Sequence, residues 1–217
     1  MNPTNIDYVN VTWNVFPGCP PPNCYYCYAM RQLRRHVDCD DCFNFRPHVH
    51  EERLHQPFFV KKPLKIFADS TGDPLKWASG AWINLWIEVM RTCHWHTFMI
   101  LTKNPIRYRE FDWPENCWLG VTIESEWQMQ RLLDLTQGNG KNIKFVSFEP
   151  LLGSWPYAVH AVDWVIVGAQ TGPEAVKPRE EWVEKIIWMC RYEKVPLFLK
   201  DNLHWPKKIQ EYPEVVT

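Results

Sequence analysis

The chain has 217 residues, the length of one ordinary globular domain or of one domain with a small appendage. Hydrophobic residues make up 46% of the sequence and charged residues 23%, so the composition excludes a disordered tail protein, a collagen-like repeat and a coiled coil. The 24 basic and 25 acidic residues nearly cancel, and the net charge of -1 excludes a strongly basic nucleic-acid coat but not a local basic patch.

No run of the sequence approaches the roughly 18 consecutive apolar residues that a membrane span needs. The first eight residues lack the basic and apolar regions of a signal peptide. We therefore expect a cytoplasmic protein without a membrane partner.

Tryptophan and cysteine are both unusually frequent, with 13 and 8 copies. The 15% of aromatic residues predicts an aromatic interior or ligand pocket. Five cysteines lie close together near the start of the chain: Cys19, Cys24, Cys27, Cys39 and Cys42. Because no export signal is present, this grouping favours metal binding over disulfides.

Short apolar runs alternate with helix-like segments along the chain. The predicted strands are residues 11–16, 65–68, 97–101, 117–123, 143–148, 163–167 and 196–199. Apolar residues recur at helical spacing in residues 80–93, 126–135 and 178–193. This alternation predicts an α/β fold, an open or partial parallel β/α barrel of about six to seven strands. We expect a single domain over residues 1–217, which could include a small Cys/His-rich insertion at residues 36–55.

Polar side chains follow each predicted strand from the second onward. Glu149, for example, stands between an apolar strand and Pro150, a setting in which a carboxylate usually has a function. In parallel α/β folds the carboxyl ends of the strands form the ligand-binding face, so these residues are expected on one rim. The alternative explanation is that polar loops simply begin where strands end.

Three cysteines in one loop carry the most specific signal. Cys19, Cys24 and Cys27 have the spacing Cys-x4-Cys-x2-Cys directly after the first predicted strand. Thiolates suit zinc, copper(I) or an iron–sulfur cluster. Three thiolates would leave one iron of a four-iron cluster open to a substrate or cofactor. A zinc loop completed by a distant ligand is the alternative.

This loop, with a tyrosine before its last cysteine, resembles that of the radical S-adenosylmethionine (SAM) superfamily, where the usual spacing is Cys-x3-Cys-x2-Cys. Over most of its length the chain is similar to an uncharacterised phage and prokaryotic family, the three-Cys-motif phage proteins, whose cysteine spacing varies. The shared stretches are residues 12–19, 23–29, 67–73, 96–105, 118–124, 148–153 and 163–173.

The resemblance implies a radical SAM enzyme. Cys19, Cys24 and Cys27 would hold a [4Fe-4S] cluster whose fourth iron binds SAM, and SAM cleavage would generate a 5′-deoxyadenosyl radical. It further implies a low-potential electron donor, a ferredoxin or flavodoxin. The short chain suggests an accessory protein or a small pocket that defines the substrate. That substrate is unknown, and a nucleotide or nucleic-acid base is the leading expectation.

By position, the resemblance also suggests which polar groups bind the cofactor. The segment after the second strand would hold the methionine amino group of SAM, and groups after later strands would reach its ribose and carboxylate. The expected cofactor-binding residues are Tyr26, Asp69, Ser70, Thr71, Asp73, Lys103, Glu124, Ser125, Glu149 and Gln170. No residue is assigned to catalysis on the substrate.

A second group of metal-binding residue types follows the loop. Cys39 and Cys42 have Cys-x2-Cys spacing, with His48 and His50 shortly after them. Such a set can bind zinc or an auxiliary cluster, while a disulfide or plain reduced cysteines remain open. If Cys39 or Cys42 instead completes a structural metal site with the first three cysteines, the chain is a non-catalytic metal-binding interaction module.

Overall fold

Eight strands form one sheet within residues 1–137 and 140–214, which are the residues that the computed structural model describes. The strands are β1 (Asn2–Pro3), β2 (Val11–Trp13), β3 (Lys65–Ala68), β4 (Thr97–Thr102), β5 (Cys117–Thr122), β6 (Lys144–Phe148), β7 (Trp164–Val167) and β8 (Leu197–Leu199).

The strands lie side by side in the order of the chain. β1 pairs antiparallel with β2, and every later neighbour pair is parallel. In the described part of the chain β1 and β8 are the two edges, so the sheet is open. The predicted α/β class with a mostly parallel open sheet is confirmed, and the seven predicted strands correspond to β2 through β8.

Two features of the sheet differ from the sequence prediction. β1 was not predicted, because two residues are too few to show any periodicity. β2 ends at Trp13 rather than at residue 16. Its continuation leaves the sheet because the backbone N–H of Phe16 donates to the Asp69 carboxylate at 2.7 Å instead of to a strand neighbour.

The α-helices of the described residues lie between the strands. They are α1 (Tyr28–Leu33), α2 (Asp40–Phe43), α3 (Gly80–Thr92), α4 (Met129–Thr136) and α5 (Glu180–Glu193). α3 begins where predicted because the Ser79 side chain accepts from the backbone N–H of Trp82. α4 begins later than predicted because Ser125 and Gln128 form a capping box around a preceding 3-10 turn.

Aromatic side chains fill both faces of the sheet. Trp13, Trp86 and Phe98 belong to the core that α3 and α5 cover, while alternate strand residues point to the opposite face. There Trp118 and Trp164 form an aromatic cluster of their own, with ring centroids 5.8 Å apart. The predicted aromatic interior is therefore present. No helix in the described residues has the length and apolar character of a membrane span.

Candidate metal and cofactor site

A cavity of about 800 Å³ lies at the carboxyl ends of the parallel strands. The groups that line it come from loops that follow different strands, as expected for this architecture. Of the expected cofactor-binding residues, those on its wall are Tyr26, Asp69, Ser70, Thr71, Asp73, Lys103, Glu149 and Gln170. Glu124 and Ser125 are not on the wall. Cys19, Cys24 and Cys27 all line the same cavity.

The three cysteines are free thiols, and each is partly buried. Cys27 lies at the start of α1, where its Sγ accepts from the backbone N–H of Met30 at 3.4 Å. Cys24 Sγ accepts from Lys103 Nζ at 3.2 Å. Burial, with a smaller effect of the Asp73 carboxylate, raises the pKa of Cys19 to about 12. A bound metal would displace that proton, because a coordinating thiol is deprotonated.

Two glycines allow the cysteine loop to approach the loop after β3. Gly18 has a φ of 84°, and its N–H donates to the carbonyl of Thr71 at 3.0 Å. A Cβ on Gly72 would lie 2.1 Å from the carbonyl oxygen of Phe16. The two loops are thus in direct backbone contact, which fixes Cys19 relative to the end of β3.

The first residues after β3 present unpaired polar atoms. Asp69 has a positive φ of 63°, and its Oδ1 accepts from the backbone N–H of Phe16. Its Oδ2, like the Thr71 hydroxyl, is buried without a hydrogen-bond partner in the described residues. Burial raises the pKa of Asp69 to about 8. Ser70, in contrast, is already bonded, since its N–H and hydroxyl both donate to Asn14 Oδ1, at 2.8 and 3.1 Å.

Asp73 is a buried carboxylate that positions its neighbours. One oxygen accepts from the Thr102 hydroxyl at 2.7 Å and the other from the backbone N–H of Lys103 at 2.8 Å. Burial raises the pKa of Asp73, and these hydrogen bonds oppose the rise. Both oxygens are occupied, so the carboxylate fixes the end of β4 and the start of the Lys103 side chain.

Lys103 links the cysteine loop to a buried ionic network. It donates to Glu124, which also accepts from the hydroxyl of Tyr26 and, at 2.8 Å, from Arg131. Burial alone would raise the pKa of Glu124, but Lys103, Tyr26 and Arg131 together hold that pKa below its ordinary value. Glu124 therefore lies behind Tyr26 and Lys103, where it positions both side chains.

Ser125 has a local role in the same region. Its N–H donates to Gln128 Oε1 at 2.8 Å within the capping box that precedes α4. Ser125 follows a strand, as predicted, but its side chain does not reach the cavity.

An ion pair and a side-chain contact to the backbone lie at the carboxyl ends of the later strands. Lys200, after β8, donates to Glu149, after β6. Gln170 lines the same cavity. Arg31 of α1 donates to the carbonyl of the wall residue Thr171 at 2.7 Å. This contact ties α1, which follows the last cysteine, to the loop after β7.

Asn14 is a wall residue that the sequence analysis did not single out. It was predicted to lie inside the first strand, because residues 11–16 read as one apolar run. Its polar side chain between Trp13 and Val15 was the signal that the strand ends there.

A second group of side chains lies next to the cysteine loop. The ligand atoms of Cys39, Cys42, His48 and His50 are all within 4.8 Å of one another. These residues, close in sequence, could hold a metal ion such as zinc.

Comparisons with curated proteins and with solved structures found no match. One family model matches residues 3–214, and its description is "Protein of unknown function (DUF5131)". That match covers nearly the whole chain. The chain therefore belongs to the DUF5131 family.

Proposed function

We propose that this chain is a radical SAM enzyme that holds a [4Fe-4S] cluster on Cys19, Cys24 and Cys27 and binds SAM in the cavity beside them. The observation that carries the proposal is that three free thiols from one loop line a single cavity at the carboxyl ends of the parallel strands. Ligand sites of α/β proteins occupy this end of the sheet.

The donor set fits an iron–sulfur cluster. Thiolates are the ligands that such clusters use, and three of them leave one iron for a further ligand. Lys103 Nζ, 3.2 Å from Cys24 Sγ, would stabilise the negative charge on that sulfur. The partial burial of all three thiols would shield a cluster from water.

The rest of the cavity fits a charged, nucleoside-containing cofactor. Its volume of about 800 Å³ is within the range of small-molecule sites. An ammonium group next to Asp69 would favour the ionised carboxylate, so Asp69 Oδ2 and the Thr71 hydroxyl, which have no partner in the described residues, are acceptors for such a group. Tyr26 and Tyr28 supply aromatic surface on which a base can stack.

When bound, the cluster and SAM supply one-electron cleavage of SAM for hydrogen abstraction. The protein's own residues bind and orient these groups: the three cysteines hold the metal, and Asp69 binds the ammonium. Glu149 and Lys200 form an ion pair on the cavity wall. The carboxylate of Glu149 could accept from ribose hydroxyls, and the ammonium of Lys200 could bind a carboxylate. A low-potential ferredoxin or flavodoxin is the electron donor that this chemistry requires.

We further propose a nucleotide or nucleic-acid base as the substrate. The aromatic side chains of the cavity wall support this. Arg31 supports it as well, because this exposed side chain donates to the carbonyl of the wall residue Thr171 and so lies next to the cavity. Stacking on aromatic rings and contact with a basic side chain are the means by which proteins bind single nucleotides.

The iron and sulfide content of anoxically purified protein tests the cluster assignment. We expect about four iron and four sulfide ions per chain in the wild type, and loss of both in Cys19→Ala, Cys24→Ala and Cys27→Ala. Cys93→Ala is the matched control, because Cys93 is buried and does not line the cavity. Unchanged iron and sulfide in each of the three variants would refute the assignment.

A second candidate is a non-catalytic metal-binding module. The convergence of Cys39, Cys42, His48 and His50 favours it, because such a set can stabilise a fold without any chemistry. The same measurement separates the two candidates, since the module predicts a colourless protein that contains zinc and no iron.

A further inference from the structure

We infer that Cys39, Cys42, His48 and His50 bind one structural zinc ion, and that this zinc fixes the backbone from which the cysteine loop departs. The site is distinct from the proposed cluster, and the inference does not depend on radical SAM chemistry.

Three sulfur–nitrogen separations within the cluster match those around a single small ion. Cys42 Sγ is 3.4 Å from His48 Nε2 and 3.3 Å from His50 Nε2, and Cys39 Sγ is 3.5 Å from His48 Nε2. Tetrahedral zinc with bonds of about 2.3 Å to sulfur and about 2.0–2.1 Å to nitrogen places its ligand atoms about 3.3–3.8 Å apart. The sulfur–nitrogen separations therefore correspond to the edges of such a tetrahedron.

The outer hydrogen bonds orient both histidines for metal binding. His48 Nδ1 lies 2.8 Å from the carbonyl oxygen of Arg46, and His50 Nδ1 lies 2.8 Å from a carboxylate oxygen of Glu52. These oxygens only accept hydrogen bonds, so each Nδ1 carries a proton and Nε2 is the ring nitrogen that is left to bind a metal. Carbonyl and carboxylate partners of this kind are typical of zinc-bound histidines.

The two Nε2 atoms then face each other at 3.0 Å, next to two sulfur atoms. With both Nε2 atoms unprotonated, neither nitrogen can donate to the other, so the thiol protons of Cys39 and Cys42 are the donors among these four atoms. A metal cation at their centre would displace the thiol protons and be bound by all four atoms. Two thiolates and two neutral imidazoles balance the charge of Zn²⁺, and four protein ligands leave no open position, as in structural zinc sites.

The backbone around the site is joined to residues 15–18, which lead from the end of β2 into the cysteine loop. The N–H of His48 donates to the carbonyl of Pro17 at 3.3 Å, and that of His50 donates to the carbonyl of Val15 at 2.8 Å. The carbonyl oxygen of Arg46 lies only 2.3 Å from where a Cβ on Gly18 would be. A metal that fixes His48 and His50 therefore also fixes residues 15–18, which directly precede Cys19.

A shared small core strengthens this connection. The buried side chains of Cys42 and Phe45 pack with Ala29 and Leu33, and Cys19 and Cys27 contact the same cluster. Because the segment between α1 and β3 has few other buried apolar groups, we expect the zinc to supply much of its order.

Metal analysis and zinc-edge X-ray absorption of the full anoxic chain test the site. We expect one zinc per chain, with two sulfur ligands at about 2.3 Å and two nitrogen ligands at about 2.0–2.1 Å. Cys42→Ser and His50→Ala should lose the zinc. His94→Ala should keep it, since His94 is an exposed histidine outside the cluster. If a variant fails to fold, X-ray absorption of the wild type still tests the site, because it identifies the zinc ligands directly.

Three results would refute this zinc site. They are a wild-type protein without zinc, a zinc ion bound by sulfur ligands alone, and a full zinc content in Cys42→Ser and His50→Ala. The Cys24→Ser variant separates this inference from the proposed function, because it should lose iron and keep zinc. A wild-type protein that contains zinc but no iron would refute the cluster and agree with the zinc site. A wild-type protein that contains iron but no zinc would refute the zinc site and agree with the cluster.

Amide hydrogen exchange tests the effect on the loop without reference to iron. Loss of zinc in Cys42→Ser should speed exchange of the amides of His48 and His50, by about fivefold for each hydrogen bond weakened. Exchange at the Gly18 amide, which donates to Thr71, should rise with it. Unchanged exchange at all three amides in a zinc-free variant would show that the zinc does not fix this backbone.

Discussion

Asp69 combines three properties that are rarely found together in one side chain. It is buried, it has a positive φ of 63°, and one of its carboxylate oxygens lacks a hydrogen-bond partner in the described residues. Backbone strain and unpaired polar atoms persist where the surrounding structure enforces them, and they concentrate at functional sites. This makes Asp69 the strongest candidate on the wall for binding a cationic ligand group.

The raised pKa of Asp69 predicts a pH dependence of stability. Burial moves that pKa from 3.8 to about 8, so between these values the folded state binds a proton that the unfolded state does not. The stabilising contribution is complete below the unfolded pKa and is lost as pH rises towards 8. The wild type should therefore lose about 1 kcal/mol per pH unit from this group across that window.

Thermal unfolding of the ligand-free wild type and of Asp69→Asn, at about pH 5 and about pH 8, checks this prediction. Asparagine keeps the oxygen that accepts from Phe16 but cannot ionise, so the variant should lose less stability over that range. Parallel losses in the two proteins would show that Asp69 does not titrate in this window.

The contacts of single residues could be predicted from the sequence only in part. The polar residues after the strands were predicted to share one rim, and most of them do. The sequence could not separate Asp69 from Asp73, because the partners that occupy Asp73 come from β4, far along the chain. It could not place Glu124 behind Tyr26 for the same reason, since that contact joins residues 98 positions apart.

At the scale of elements, the contact between the cysteine loop and the loop after β3 decides where the thiols lie. A Cβ on Gly72 would meet the carbonyl oxygen of Phe16 at 2.1 Å and that of Gly18 at 2.8 Å. Both are backbone atoms, so no side chain can rotate away to make room.

Gly72→Ala should therefore lower the free energy of unfolding by about 1–3 kcal/mol and reduce the iron content by displacing the loop. Gly80→Ala is the matched control, because at the first residue of α3 the nearest atom, on Phe111, is 3.8 Å from the new Cβ. There alanine should be neutral or stabilise by up to about 1 kcal/mol. Denaturant unfolding and iron analysis of both variants measure the effects, and equal stability and iron content would contradict this account of the loop.

The elements themselves were the most predictable part of the chain. β3 through β8 were found within about one or two residues, because each is a buried apolar run of the kind that parallel sheets require. The end of β2 was placed too late, since its departure from the sheet depends on Asp69, which lies on another loop.

At the scale of the whole molecule, two groups of metal-binding residues are linked by one short segment, residues 15–18. Cys19, Cys24 and Cys27 follow this segment and line the cavity, which Cys42 of the second group also reaches. The backbone N–H groups of His48 and His50 donate to the same segment. The sequence suggested both groups but left their relation open, because Cys-x2-Cys with nearby histidines does not specify which ligands share an ion.

We propose that the cavity binds SAM beside a cluster on the three cysteines. If Glu149 contacts SAM, Glu149→Ala should keep its iron but bind SAM roughly ten- to a hundredfold more weakly, as expected for loss of one charge-assisted hydrogen bond. Glu181→Ala, at an exposed position on α5, is the matched control and should bind SAM like the wild type.

The most direct measurement is the formation of 5′-deoxyadenosine from SAM by cluster-loaded protein with dithionite under anoxic conditions, followed by chromatography. We predict that the wild type forms it, that Cys24→Ala forms none, and that Glu149→Ala forms less at limiting SAM. A wild-type protein that carries an intact four-iron cluster but neither binds SAM nor yields 5′-deoxyadenosine would contradict the account.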